Sequence, residues 1–109
     1  MYNLKDLQRM NQEAGETGQL RNESSIQFAL GIIRQKKSWL YELSYLVRSL
    51  LIDHPFVDGN KRTAYLLCTL YFEDHGKDYT DQQLVETILQ ITKKNTADIN
   101  SIARRLYRC

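Results

Sequence analysis

The sequence predicts an all-α fold, a single helical bundle wrapped around one buried central helix. Three observations carry this. Apolar residues recur at three- and four-residue spacing along most of the chain, the period of helices with one buried face. One proline and five glycines punctuate 109 residues, too few for the frequent turns of strand-based architectures. The stretch from Ala64 to Phe72 is apolar almost all round, which suits a helix enclosed by others. The length fits one domain over residues 1–109. No linker, internal repeat or low-complexity tract divides it.

The elements follow in order. Leu4 to Glu13 reads as a first helix, and Gly15, Gly18 and their polar neighbours as the loop after it. Asn22, Ser24 or Ser25 can cap a second helix whose stripe is Ile26, Leu30 and Ile33. The segment Gln35-Lys36-Lys37-Ser38 interrupts that pattern. A third helix is expected from Trp39 to Asp53, with Leu40, Leu43, Leu46, Val47, Leu50 and Leu51 on one face and Glu42, Ser44 and Arg48 off it. Pro55 cannot continue a helix and biases His54 away from helical geometry, so His54 to Gly59 is a loop. The central helix runs from Asn60 to about His75, with Gly76 as its stop. Thr80 or Asp81 caps a fifth helix through Leu84, Val85, Ile88, Leu89 and Ile91. Thr96 or Asp98 opens a sixth through Ile99, Ile102, Ala103, Leu106 and Tyr107.

Composition narrows the function. Hydrophobic residues make up 42% and charged residues 26%, with a net charge of +2, too small to demand a nucleic-acid partner. The basic clusters Arg34-Lys36-Lys37, Lys93-Lys94 and Arg104-Arg105-Arg108 read as solvated helix ends. Cys68 and Cys109 have no metal-ligand spacing, and neither a disulfide nor a zinc site is expected. The N-terminal residues lack a signal-peptide pattern, and no apolar run approaches the ~20 residues of a membrane span. A cytoplasmic location without membrane association is the expectation.

The chemistry concentrates in His54-Pro55-Phe56-Val57-Asp58-Gly59-Asn60-Lys61-Arg62. Gly59 can take positive φ and allow close approach of a ligand to the backbone. From about Asn60 onward, N–H groups point out of a helix N-terminus, an anion site. Lys61 and Arg62 lie in the first helical turn, where cations are disfavoured by roughly 0.3–1 kcal/mol each. A bound polyphosphate resolves that conflict. The plainer alternative has Asp58 and Asn60 capping the helix while Lys61 and Arg62 face water. Two features tip the balance toward a site: His54 stands four residues before Asp58 across a tight loop, and the apolar Phe56 between them can pin the loop to the core. Asp58 suffices for Mg²⁺, which takes one or two protein carboxylates and completes its shell with phosphate and water. His54 is the general-base candidate. His75, next to Gly76, reads as a surface or capping residue. Neither a Walker A loop nor the protein-kinase elements are present.

This segment resembles the Fic/Doc family, whose signature His-x-Phe-x-(Asp/Glu)-(Gly/Ala)-Asn-(Gly/Lys)-Arg it matches at all seven constrained positions. Upstream, Gly18-Gln19-Leu20-Arg21-Asn22 is similar to the family's Gly-x-x-Arg-(Asp/Asn) stretch, so the likeness extends from about Gly15 to Tyr107. The resemblance implies that His54 deprotonates a hydroxyl on a target protein, that Asp58 holds Mg²⁺, and that Gly59, Asn60 and Arg62 bind the phosphates of ATP. It implies that Phe56 anchors the loop and that Arg21 orders the loop before the second helix. AMP-transferring members carry glycine at the position of Lys61 and a second arginine at that of Tyr65. Lys61 is instead similar to the Doc toxin branch, which implies a nucleotide bound in the reverse sense and transfer of its γ-phosphate to a target threonine, a translation elongation factor (Tu) being the known target type. The segment Gln35 to Trp39 is too short for the target-docking hairpin of larger members. No (Ser/Thr)-x-x-x-Glu-(Gly/Asn) inhibitory segment is found, so a separate antitoxin is implied. The alternatives left open are an AMP or other nucleotidyl transferase acting on protein hydroxyls and an inactive binding module. A helix C-terminus and Asp53 beside His54 both favour the imidazolium, so the cations and metal have to oppose them for a neutral base.

Overall fold

The computed structural model describes residues 2–33 and 38–109, without the side chain of Ile33. The expected interruption over Gln35, Lys36 and Lys37, the cluster that includes Arg34, and the role of Ile33 in the second stripe lie outside the described residues. Within them are six α-helices and no strand: α1 (Leu4–Glu13), α2 (Ser24–Ile33), α3 (Trp39–Arg48), α4 (Asn60–Asp74), α5 (Asp81–Lys93) and α6 (Ile99–Tyr107).

Local chemistry sets the boundaries. At α1 a capping box closes: the Asp6 N–H donates to Asn3 Oδ1 and the Asn3 N–H donates to Asp6 Oδ2, both at 2.9 Å. At α2, Asn22 Oδ1 accepts from the Ser24 N–H at 3.1 Å and from the Ser24 hydroxyl at 2.9 Å. Thr80 rather than Asp81 caps α5, accepting from the Gln83 N–H at 3.2 Å. Asp98 rather than Thr96 caps α6, accepting from the Ser101 N–H at 2.9 Å. Helix α4 stops as expected: His75 is its C-cap, and Gly76 follows with a φ of 65°. The His75 ring lies parallel to Trp39, centroids 4.8 Å apart.

The third helix departs from expectation in its last turn. Its α-helical part ends at Arg48, and Ser49–Asp53 forms a π-helical turn. The wider turn absorbs an extra residue. It keeps Leu50 and Leu51 in the core and delivers Asp53 to the surface.

Helix α4 packs against α1, α3, α5 and the π turn, burying Ala64, Leu67, Cys68, Tyr71 and Phe72. Helix α3 shares the central position, packing against α2, α4 and α6. Four residues break the expected stripes. Ser44 is buried on α3, its hydroxyl donating to the Leu40 carbonyl at 2.7 Å. Val85 and Leu89 on α5 and Tyr107 on α6 stay exposed. A helix in contact with one layer buries a narrow stripe, and Leu84, Ile88 and Ile91 already fill it on α5. Both cysteines are free thiols, and burial pushes the Cys68 thiol far up. No helix among the described residues is long and apolar enough to cross a membrane.

Candidate active site

The π turn ends at His54, which adopts left-handed backbone geometry with φ 50° and ψ 64°. Pro55 disfavours right-handed helix at the preceding residue, and the left-handed geometry adopted there costs a non-glycine residue about 1–2 kcal/mol. Tertiary bonds hold it there. The His54 carbonyl accepts from Arg21 Nη2 at 3.1 Å, and the Pro55 carbonyl accepts from the Arg21 and Asn22 N–H groups at 2.7 and 3.1 Å. The Val57 N–H donates to the Gln19 carbonyl at 3.0 Å, completing an antiparallel bridge between Leu20 and Phe56. The loop before α2 is thereby zipped to the loop before α4. Arg21 orders the loop, as expected, and also lines the site.

Phe56 is fully buried and anchors the loop. Asn60, at the first position of α4, grips the same residue from both sides: its Oδ1 accepts from the Phe56 N–H at 3.0 Å, and its Nδ2 donates to the Phe56 carbonyl at 3.1 Å. The side chain sequence reasoning assigned to phosphate is therefore occupied in shaping the loop. The N–H groups of Asn60, Lys61 and Arg62 have no acceptor among the described residues and point outward from the helix N-terminus.

Gly59 has a φ of 75°, and a Cβ there would come within 2.5 Å of Glu16 Cγ and 3.1 Å of Asn11 Nδ2. On the side where a Cβ would stand, the close approach to this glycine is made by side chains of α1 and the loop after it. Its N–H donates to Asp58 Oδ1 at 2.7 Å. Asp58 itself is exposed, and its second carboxylate oxygen has no protein donor among the described residues.

Two residues that sequence reasoning missed support this frame. Asn11, buried on α1, donates from Nδ2 to the Asp58 carbonyl at 2.8 Å and to Thr63 Oγ1 at 3.1 Å, while its Oδ1 accepts from the Gly18 N–H at 2.9 Å. A polar residue one turn after Leu7, on the buried stripe of α1, was the available signal, because a buried amide demands partners. Glu16 forms an ion pair with Arg62, whose side chain is 57% exposed, so the pair adds little stability. Arg62 keeps further N–H donors. Nothing local in the sequence links these two residues.

The result is a polar cavity of about 480 Å³ lined by Arg21, His54, Asp58, Asn60, Lys61 and Arg62. Of the seven expected site residues, His54, Asp58, Gly59, Asn60, Lys61 and Arg62 border it, and Phe56 lies buried rather than on its wall. The Lys61 side chain makes neither a hydrogen bond nor an ion pair among the described residues. The described residues contain no cluster of three metal-ligating side chains. Asp58, with one oxygen free, fits Mg²⁺ as a single carboxylate ligand whose remaining partners come from phosphates and water.

Tyr65, where AMP-transferring members carry arginine, faces elsewhere. Its hydroxyl donates to the Asp81 carboxylate, which pushes the phenol up to about 12 and keeps it uncharged. It lines a second, apolar cavity of about 380 Å³ between α4 and α5.

A sequence model of the Fic/DOC family matches residues 2–72, well over half of the chain and the whole of the loop-helix segment just described. No curated protein and no solved structure gives a match.

Proposed function

Because the chain belongs to the Fic/DOC family, whose members are generally transferases that use ATP, often with Mg²⁺, we propose that it moves the γ-phosphate of ATP to a hydroxyl of a target protein. The observation that carries this reading is the convergence in one cavity of His54, Asp58, three cations and the unpartnered N–H groups of α4. Phosphoryl transfer needs positioning and charge neutralisation above all. Arg21, Lys61, Arg62 and the helix N-terminus supply positive potential on one wall, and His54 sits at its edge, held by the Arg21–Pro55 contacts.

In the proposed reaction the acceptor oxygen bonds to the γ-phosphorus and the bond to the bridging oxygen breaks. ADP leaves, and the hydroxyl proton passes to a ring nitrogen of His54. Mg²⁺, when bound, neutralises phosphate charge, and Asp58 is the residue to hold it. Lys61 fills the place that a glycine leaves open in AMP-transferring members, and Tyr65 is turned to Asp81 instead of adding a second guanidinium. Both favour γ- over α-phosphate transfer. The target in this reading is a protein with an accessible hydroxyl, a translation elongation factor being the type the Doc likeness suggests, and a separate antitoxin restrains the activity.

The test is lysate labelling with α- and γ-labelled ATP in parallel, using wild type and His54→Ala. Label from the γ position alone, lost in His54→Ala while Mg-nucleotide affinity persists, is expected. Transfer of the α label, or a mass gain of a whole AMP, overturns the kinase reading in favour of AMP transfer. An Asp58→Ala variant with an unchanged magnesium titration removes Asp58 from the metal role.

A further inference from the structure

The groove between α3 and α6 shares no residue with the site described above. It holds a cavity of about 390 Å³. The more buried of its lining residues are apolar, Leu40 and Ala103, and the exposed ones are two tyrosines and two arginines, Tyr41, Tyr107, Arg104 and Arg108. Tyr107 is 67% exposed, the residue that left the expected stripe of α6. The chain places Arg104, Arg105 and Arg108 in one basic cluster, and folding divides it. Arg105 donates to Gln90 Oε1 on α5 at 3.1 Å, while Arg104 and Arg108, one turn apart, line the groove. No carboxylate lines it, α6 carries none, and the N-cap Asp98 is engaged by the Ser101 N–H and hydroxyl. Among the described residues neither arginine of the groove is ion-paired. A helix C-terminus favours positive charge in its last turn, but that does not account for the exposed tyrosines beside it.

We infer that this groove docks an acidic segment of a partner protein, a peptide in which aspartate or glutamate flanks an apolar side chain. The first argument is charge complementarity. Two guanidinium groups without a carboxylate between them present forks that match carboxylate geometry. The second is composition. Tyrosine and arginine are the residues enriched in the cores of protein interfaces, where lysine and the carboxylates are depleted, and they supply most binding hot spots. Tyrosine gives a large contact area with few rotamers to fix. Tyr41 is already held, its hydroxyl donating to Asn100 Oδ1. That bond leaves the Asn100 amino group for a peptide carbonyl. The apolar side chain of the peptide then meets Leu40 and Ala103 between the two rings, and its carboxylates meet Arg104 and Arg108. A single-stranded nucleic acid also stacks on tyrosines, but it is held by cations that track its backbone. Here Arg105 is turned away to α5, and two cations remain.

The experiment measures fluorescence anisotropy of labelled peptides of equal length: one with aspartates flanking a leucine-phenylalanine pair, one with asparagines in place of the aspartates, and one with serines in place of the apolar pair. Each is titrated with the full chain and with Arg104→Gln/Arg108→Gln, Tyr107→Ser and Lys61→Gln variants. All the substituted positions are exposed, so the fold persists, and circular dichroism checks it. The acidic apolar peptide should bind wild type about tenfold more tightly than either analogue, and added salt should weaken it. The double arginine variant should lose about tenfold, a change of about 1.4 kcal/mol, and cease to distinguish aspartate from asparagine. Tyr107→Ser should lose the preference for the apolar pair and keep that for aspartate. Lys61→Gln should bind as wild type does, because the groove is separate from the polar cavity. Equal binding of the acidic and asparagine peptides overturns the inference, as does a double arginine variant that binds as before, or binding of no peptide at all. A loss confined to Lys61→Gln puts the peptide in the polar cavity and overturns it as well. A short oligouridine that binds more tightly than the acidic peptide, and is lost in the double arginine variant, assigns the groove to nucleic acid instead. A self-association of wild type that Tyr107→Ser abolishes assigns it to a second copy of the chain.

Discussion

Replacing Asn11 with alanine is the sharpest test of how the site is held. The side chain makes three hydrogen bonds to three segments: the loop after α1, the active-site loop and the first turn of α4. Its loss leaves the buried Gly18 N–H without an acceptor, which costs about 1–3 kcal/mol. The bonds to the Asp58 carbonyl and the Thr63 hydroxyl are each worth about 0.5–1.5 kcal/mol net. Water can reach the part-buried Asp58 carbonyl, and Thr63 retains its bond to the Gly59 carbonyl at 2.8 Å. The sum is therefore about 2–4 kcal/mol, a large part of the 5–15 kcal/mol that holds a typical domain folded. Urea denaturation of Asn11→Ala should show that loss with an unchanged slope. Gln12→Ala, which removes only an exposed bond to the Thr17 carbonyl, should change stability by less than about 0.5 kcal/mol. Mg-nucleotide affinity should fall in Asn11→Ala, because Asp58 loses its backbone anchor. A destabilisation no larger than that of Gln12→Ala would refute the reasoning, showing that solvent replaces the amide at no cost.

Three further outcomes follow from the same geometry. Asn60→Asp keeps the acceptor for the Phe56 N–H but sets a carboxylate oxygen against the Phe56 carbonyl, so thermal melts should show a loss of about 2–4 kcal/mol; unchanged stability with weakened nucleotide binding would return this side chain to the phosphates. His54→Gly relieves the left-handed strain and should leave stability equal or up to about 1 kcal/mol higher while abolishing transfer; a destabilised variant would mean that the ring packs as a structural element. The Ser101 N–H and hydroxyl hold the Asp98 carboxyl below its usual range. Its stabilising contribution is complete above the unfolded value near 3.8 and is lost as pH falls through the lower folded value. Acid titration of the helical circular dichroism should therefore be shallower in Asp98→Asn than in wild type below about pH 4, and identical curves would remove Asp98 from the acid response.

Much of the fold was legible because helices announce themselves locally. The span of α1, the start and stop of α4 and the caps at Thr80 and Asp98 depend on residues within a few positions of one another, and short-range spacing carries that information. The segment from His54 to Arg62 was legible for the same reason. Its cations, carboxylate and histidine are contiguous, and a loop meeting a helix N-terminus brings them to one place without distant help.

What the chain alone left undetermined depends on segments far apart in sequence. The π turn arises where α3 must keep Leu50 and Leu51 buried and still present His54 to the Arg21 loop. The space beside Gly59 and the side chain of Asn60 are taken up within the protein by Glu16, Asn11 and the Phe56 backbone, while both residues still border the cavity. Val85 and Leu89 satisfy the helical period yet remain at the surface, because periodicity names the apolar side of a helix and not how much of it a neighbour covers. The sequence by itself determined which residues can do chemistry and on which kind of element they stand. The tertiary structure decided which of their hydrogen-bonding groups are left for a ligand, since a donor already bonded within the protein is lost to the site and only packing sets which donors those are.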